Sequence, residues 1–252
     1  MHADPKGAEE RGGSGGVGQM LVATLLTVVL LGAIGGAVAV ATDPATLPIR
    51  EVQVRGNLRH LDPAHLRAQV APLAVAGFFT VDLEAIRRSL LSEPWVADAS
   101  VRRVWPATLR IEVEEQVPAA RWLSGGYLNR EGERFLAPAG DVSEPLPELD
   151  GPEGREGEVM DRYRRLGERL APIGLGVRRL VMDGRRSWRI ELDNGLQVRL
   201  GRQELERRID RFVAVWTRYL APRAARVVAV DLRYSNGLAV RERPADQPVK
   251  GG

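Results

Sequence analysis

The chain has 252 residues, a net charge of +3 and no cysteine, and 44% of its residues are hydrophobic and 27% charged. This composition indicates a folded protein and excludes disulfide bridges, thiol chemistry and disorder throughout. Arginine supplies nearly all the positive charge and is interspersed with Asp and Glu, which disfavours the basic patch of a nucleic-acid-binding protein.

An uncharged apolar segment, residues 20–41, follows a Gly-rich polar stretch, residues 1–19, that we predict to be disordered. As a helix it would be about 33 Å long, enough to cross a hydrocarbon core of about 30 Å. A cleaved signal peptide is the main alternative, but its apolar region would be shorter. A buried core helix would have a polar side. We therefore predict one transmembrane helix, in which Gly32 and Gly36 have a spacing that permits close helix contact.

The first segment after the helix, residues 47–116, is predicted to be a domain with the order β-α-α-β-β. Leu109, Ile111 and Val113 alternate with charged residues, which is typical of a strand with one buried face. The predicted strands and helices are 49–56, 61–71, 83–91, 99–104 and 109–115.

A second domain is predicted over residues 117–243, and a disordered tail over 244–252. Residues 138–154 are rich in Pro, Gly and acids, so we expect a surface connection there. Helices are predicted over 159–170 and 203–220, and hairpins around Asn194-Gly195 and Asn236-Gly237. The fold class is therefore α+β: a transmembrane helix, then a small domain, then a mixed α/β domain with an antiparallel sheet and helices on one side.

The sequence offers little for catalysis, so we expect no enzyme, cofactor or metal site. The three histidines, His2, His60 and His65, lack the spacing of a zinc site. Residues 13–18 match G-x-G-x-x-G, but no strand precedes them, as a dinucleotide site would require. Core packing is expected for the five tryptophans, which are Trp95, Trp105, Trp122, Trp188 and Trp216.

Arginines cluster around the two predicted hairpins. A solvated surface explains such a cluster, and so does an acidic protein partner. The last hairpin is the final strand pair of its sheet, and an open sheet edge can accept a strand from another chain. We keep both interpretations at this point. The arginines are Arg185, Arg186, Arg233, Arg241 and Arg243.

Several segments, in order, resemble the FtsQ/DivIB family of bacterial cell-division proteins, in the form found in Gram-negative bacteria. The resemblance covers nearly the whole chain. The segments are Pro94-Trp95-Val96, residues 101–106 (VRRVWP), 109–111 (LRI), 115–122 (EQVPAARW), 146–147 (LP), 151–154 (GPEG), 185–188 (RRSW), 200–202 (LGR) and 230–234 (VDLRY).

The resemblance implies a POTRA domain followed by the family's β-domain, both in the periplasm, with the N-terminal tail in the cytoplasm. It also implies a non-enzymatic scaffold of the septal division machinery that binds FtsB, paired with FtsL, and connects to FtsK, FtsW and FtsI. FtsB would be received by strand addition at the last strands. The FtsB-binding residues that the resemblance implies are Arg186, Arg233, Tyr234, Asn236, Gly237, Leu238 and Val240.

Two other classes of protein stay open at this stage. One is a membrane-anchored periplasmic enzyme acting on the cell wall. The other is a POTRA protein of outer-membrane assembly, although nothing after Pro244 could supply the β-barrel of that class.

Overall fold

A computed structural model describes residues 15–43, 46–138 and 140–243. Most of the predicted N-terminal tail and the whole predicted C-terminal tail lie outside these residues. The described chain forms two compact units. The first comprises the chain up to Arg55, Pro63–Leu90 and Ala99–Glu112, and the second comprises Gly56–Asp62, Leu91–Asp98 and the chain from Val113 onward.

The first helix, α1, extends over Gly15–Thr42 and begins five residues before the predicted start. Its segment Met20–Val40 is the one helix of the described residues that is long and apolar enough to span a membrane. The hydroxyl groups of Thr24 and Thr27 donate to the carbonyl oxygens of Met20 and Ala23, each at 2.9 Å. The two hydroxyls are therefore satisfied within the helix, as a lipid environment requires.

The first unit has the predicted order β-α-α-β-β. Strands β1 and β3 are parallel, with Val52 opposite Leu109 and Val54 opposite Ile111, and the sheet order is β1-β3-β2. The side chains of Leu109 and Ile111 are buried, as the alternation predicted. The elements are β1 (Glu51–Arg55), α2 (Pro63–Val70), α3 (Leu83–Leu91), β2 (Val96–Val104) and β3 (Thr108–Glu115).

The second unit contains a nine-stranded sheet with the order β12-β11-β10-β9-β8-β7-β4-β5-β6. Helices α4 and α5 contact each other and pack on β8 and β10, so they cover one face. The elements are β4 (Ala120–Trp122), β5 (Tyr127–Leu128), β6 (Arg134–Phe135), β7 (Glu148–Asp150), α4 (Glu156–Leu170), β8 (Val177–Met182), β9 (Trp188–Leu192), β10 (Gln197–Gly201), α5 (Leu205–Val215), β11 (Val227–Asp231) and β12 (Ala239–Glu242).

This sheet is mixed, whereas we predicted an antiparallel one. The pairs β4–β7, β7–β8 and β10–β11 are parallel. Parallel neighbours need a crossover connection. Helix α4 supplies the crossover from β7 to β8, and α5 supplies the crossover from β10 to β11. The α+β class with helices on one face is confirmed.

Two local predictions in the second unit were wrong. Residues 138–154 are not only a surface connection, because they contain β7, a central strand whose Leu149 is fully buried. The predicted helix 203–220 is interrupted, because α5 ends at Val215 and Trp216–Leu220 form a π-helical turn. Strand β8 lay in a stretch to which we had assigned no element.

Tryptophan burial follows the prediction at four of the five positions. Trp95, Trp122, Trp188 and Trp216 are buried. Trp105, in the turn between β2 and β3, keeps 67% of its surface exposed, so core packing was the wrong expectation there.

Candidate partner-binding edge

Strand β12 lies at one edge of the nine-stranded sheet, and β11 is its neighbour among the described strands. The two strands are antiparallel, with Val240 opposite Val230 and Ala239 opposite Asp231. An edge strand presents backbone N–H and C=O groups that another chain can pair with. The edge that the sequence predicted is therefore present, although its strand is only four residues long.

Backbone groups alternate in direction along β12. The N–H of Arg243 donates to the carbonyl oxygen of Arg226 at 2.8 Å, so odd-numbered residues face β11. Because successive residues of a strand point their backbone groups to opposite sides, the alternation directs those of Val240 and Glu242 away from the sheet. These two residues supply the groups with which an added strand would pair.

Side chains of β12 and of the residue before it hold the strand against the unit. Leu238 and Val240 are half-buried and pack against the core of the second unit. The carboxylate of Glu242 lies 3.2 Å from Arg223 and 3.5 Å from Arg226. The edge is thus anchored by apolar contact and by partly exposed ion pairs, so that its backbone is ordered before any partner arrives.

The segment between β11 and β12, residues 232–238, is held by helix α5. One guanidinium nitrogen of Arg211 donates to the carbonyl oxygens of Tyr234, at 3.0 Å, and Gly237, at 2.7 Å. Arg208 donates to the carbonyl oxygen of Arg233 at 3.3 Å and also to that of Leu200. Asn236 and Gly237 therefore lie in a seven-residue connection rather than in the tight turn that we predicted.

Arg233 and Tyr234 are exposed on this connection. The guanidinium of Arg233 contacts both carboxylate oxygens of Asp231, at 2.7–3.1 Å, and this hydrogen bonding lowers the pKa of Asp231, while burial opposes the shift. The ring of Tyr234 is 59% exposed. A fixed cation and an exposed aromatic ring therefore lie directly beside the open edge, and both are residue types enriched in protein interfaces.

Gly201 allows β10 to end close to this connection. Its φ is +77°, and a Cβ atom there would lie 2.6 Å from a guanidinium nitrogen of Arg208 and 3.2 Å from Cγ of Arg233. Only glycine can adopt this positive φ and leave room for Arg208 without strain. The close approach lets Arg208 reach the carbonyl oxygens at the ends of β10 and β11.

Arg186 lies in the turn between β8 and β9, where its φ is +60°. The carboxylate of Asp183 accepts the N–H groups of Arg185 and Ser187, each at 2.9 Å, and shapes this turn. The strand directions place the turn at the same end of the sheet as the 232–238 connection. Strands β9, β10 and β11 are adjacent and about 4.8 Å apart, so Arg186 is a neighbour of the edge and not part of it.

Six of the seven residues that the resemblance implied lie together in the 232–238 connection and β12, and Arg186 lies further along the same end of the sheet. Arg208, Arg211 and Gly201, which position the 232–238 connection, were not predicted from the sequence. The available signal was the spacing of Arg208 and Arg211, since residues three apart on a helix share a face. The described residues contain no group of three His, Asp or Glu side chains arranged to hold a metal ion.

Two family models match the chain. Residues 47–116 match the FtsQ-type POTRA domain, and residues 120–233 match the C-terminal domain of cell division protein FtsQ/DivIB. The chain belongs to the FtsQ/DivIB family. The second match ends two residues after β11, so β12 lies beyond the residues matched to the family's C-terminal domain.

Three relatives, each named cell division protein FtsQ, show the extent of the similarity. The Hahella chejuensis protein is 36% identical over 204 residues, covering 81% of this chain and 73% of the relative. The Coxiella burnetii protein is 34% identical over 221 residues, covering 88% and 91%. The Allochromatium vinosum protein is 36% identical over 222 residues, covering 87% and 89%.

Membership of the FtsQ/DivIB family makes this chain a cell-division protein whose role lies in the protein–protein interactions of the divisome. Together with the apolar helix α1, it indicates a single-pass protein of the bacterial inner membrane. The resemblance seen in the sequence is confirmed at the level of the family and of both of its domains.

Proposed function

We propose that the chain is a non-enzymatic bitopic scaffold of the divisome that receives FtsB, paired with FtsL, as an added strand on β12. The tail before α1 is cytoplasmic and the two units are periplasmic, at the septum. By binding this pair it links early and late division proteins and helps control septal cell-wall synthesis, and it also connects to FtsK, FtsW and FtsI. The domain limits 47–116 and 117–243 belong to the same proposal; the two family models match residues 47–116 and 120–233.

The ordered open edge of β12 is the observation that carries this proposal. Of the other edge strands in the described sheets, β1, β2 and β6, the last two are less suitable acceptors. Strand β6 has only two residues. On β2, the carbonyl oxygen of Ala99 already accepts a hydrogen bond from Nε of Arg87 at 2.8 Å. Strand β12 combines outward backbone groups with Arg233 and Tyr234 beside them, so an added strand gains both pairing and side-chain contacts.

A backbone substitution tests strand addition most directly. Val240→Pro removes an N–H group that points away from β11, so it should abolish pairing with the added strand while the β11–β12 pairing persists. Val240→Thr keeps the N–H and the β-branched shape and serves as the matched control. The affinity of the full chain in nanodiscs for the periplasmic segment of its own FtsB is measured for both variants by calorimetry.

The expected result is binding by wild type and Val240→Thr, and a loss of at least tenfold, about 1.4 kcal/mol, in Val240→Pro. Equal affinity of wild type and both Val240 variants for the FtsB segment would rule out strand addition on β12. Tyr234→Ala tests the neighbouring side-chain surface separately, because it leaves every backbone group in place. It should weaken FtsB binding without changing the melting temperature.

A further inference from the structure

An exposed apolar cluster lies in the first unit and takes no part in the proposed FtsB surface. Trp105 is 67% exposed and Phe79 is 50% exposed. The buried ring of Phe78 lies between the two exposed rings, 5.2 Å from Phe79 and 5.8 Å from Trp105 in edge-on arrangements. Exposed aromatic rings grouped in this way mark an interaction surface rather than a scattered set of surface residues.

The cluster is tied to the chain that leaves α1. The N–H of Phe78 donates to the carbonyl oxygen of Leu47 at 2.8 Å, and Pro48 and Gly77 form an isolated β-bridge. On the other side, the N–H of Arg50 donates to Ala107, two residues after Trp105, at 2.8 Å. Both turns that carry the exposed rings are therefore fastened to residues 47–50.

The tether to α1 is short. Leu47 follows the last residue of α1, Thr42, by five positions, which span at most about 18 Å when fully extended. The N–H of Thr46 donates to the carbonyl oxygen of Asp43 at 3.1 Å, so these two residues lie close together and the actual span is smaller. With α1 in a bilayer, Leu47 therefore lies within about 18 Å of the end of the helix, and the two turns that carry the exposed rings are fastened to it and to Arg50.

The cluster is also rigid. The guanidinium of Arg103 donates to the carbonyl oxygens of Phe78, at 2.6 Å, and Val81, at 2.7 Å, and so fixes the turn that carries Phe79. Trp105 packs edge-on against the buried Phe78. Since the rings are ordered before contact, their insertion into an interface costs little conformational entropy.

We infer that Phe79 and Trp105 insert into the lipid headgroup region of the bilayer that α1 crosses and so anchor the first unit to the membrane surface. Tryptophan favours this region because its ring is amphipathic, and the exposed side chain of Arg50 suits anionic headgroups. The inference requires only that α1 spans a membrane. It does not depend on the binding of FtsB to β12.

The tryptophan distribution provides a selective probe. Trp105 is exposed, whereas the other four tryptophans of the chain are buried and shielded from quenchers. The full chain is reconstituted in liposomes of phosphatidylethanolamine and phosphatidylglycerol, with and without brominated acyl chains. Quenching of the emission by brominated lipid is compared with quenching by iodide in the water phase.

We expect brominated lipid to quench the share of emission that comes from Trp105, and Trp105→Phe to remove this quenching while keeping an aromatic ring on Phe78. Phe79→Ser should shift the emission of Trp105 to the red and reduce its quenching by brominated lipid. The matched control, Tyr219→Ser, removes an exposed aromatic ring from the second unit and should leave both unchanged.

Quenching of Trp105 by iodide and not by brominated lipid would overturn the inference, because the ring would then lie in water. Protection of Trp105 from both quenchers would overturn it as well, because a second copy of the chain would then cover the cluster. Neither result would bear on FtsB binding, which the variants of Val240 test independently.

Discussion

Nη1 of Arg211 lies 2.7 Å from the carbonyl oxygen of Gly237 and 3.0 Å from that of Tyr234. A helix that crosses from β10 to β11 thus holds the connection that leads into the edge strand. Two carbonyl groups that would otherwise face water are bound to one cation. The conformation of the connection is therefore set before a partner binds.

We predict that Arg211→Met weakens FtsB binding about tenfold, or about 1.4 kcal/mol, because the connection must then be ordered at the moment of binding. Amide hydrogen exchange over residues 235–238 should accelerate in the absence of any partner. Arg207→Met is the control, since this arginine of the same helix is exposed and lies 3.5 Å from Glu204. Unchanged exchange in Arg211→Met would show that Arg211 does not order the connection.

Gly201→Ala should destabilise the second unit more than Gly195→Ala does. Both glycines have a φ near +80°, so both substitutions carry a backbone strain of about 1–3 kcal/mol. Only at Gly201 would the new Cβ also displace Arg208 and its hydrogen bonds, which should add about 1 kcal/mol. Melting temperatures of the two variants give the comparison, and equal values would argue against the close approach at Gly201.

The Asp231–Arg233 pair should make stability fall in acid. Because the pKa of Asp231 is lowered in the folded chain, its contribution is complete above the unfolded value of about 4 and is lost as the pH falls below it. Unfolding by urea between pH 5 and pH 2 should therefore show a smaller loss of stability in Arg233→Gln than in wild type. Identical pH dependence of stability in both proteins would show that Arg233 does not lower the pKa of Asp231.

Leu149→Ala should lower the unfolding free energy by about 2–5 kcal/mol, because Leu149 is fully buried in β7 between Trp122 and Leu180 of its neighbour strands. Leu136→Ala removes the same atoms from an exposed leucine and should change stability by less than about 0.5 kcal/mol. Urea unfolding followed by tryptophan fluorescence measures both. A small effect at Leu149 would show that β7 is not a core strand.

Local sequence patterns were sufficient to predict an element wherever its own residues contain the cap and the apolar spacing that define it. Helix α3 was predicted with its observed bounds, Leu83–Leu91. The carboxylate of Asp82 accepts the N–H groups of Glu84 and Ala85, and Ile86 and Leu90 are buried at helical spacing. The length and lack of charge of α1 likewise needed no tertiary context. The candidate partner-binding residues came from the family resemblance and stay a prediction.

Non-local contacts decided the rest. Strand β7 has three residues between prolines and acids, and only its pairing with β4 and β8 makes it a core strand. Tryptophan is usually a core residue, yet Trp105 lies in the turn between β2 and β3 and is exposed to solvent. In the sequence, Arg208 and Arg211 look like surface charges of a helix. Only the fold, which places α5 beside the end of β11, shows that they bind carbonyl oxygens there. By itself the sequence determined the membrane helix, the family and the order of most elements, because those signals are local. The tertiary structure alone decided which arginines hold the edge strand and its connection, because hydrogen bonds between distant segments leave no periodic pattern in the chain.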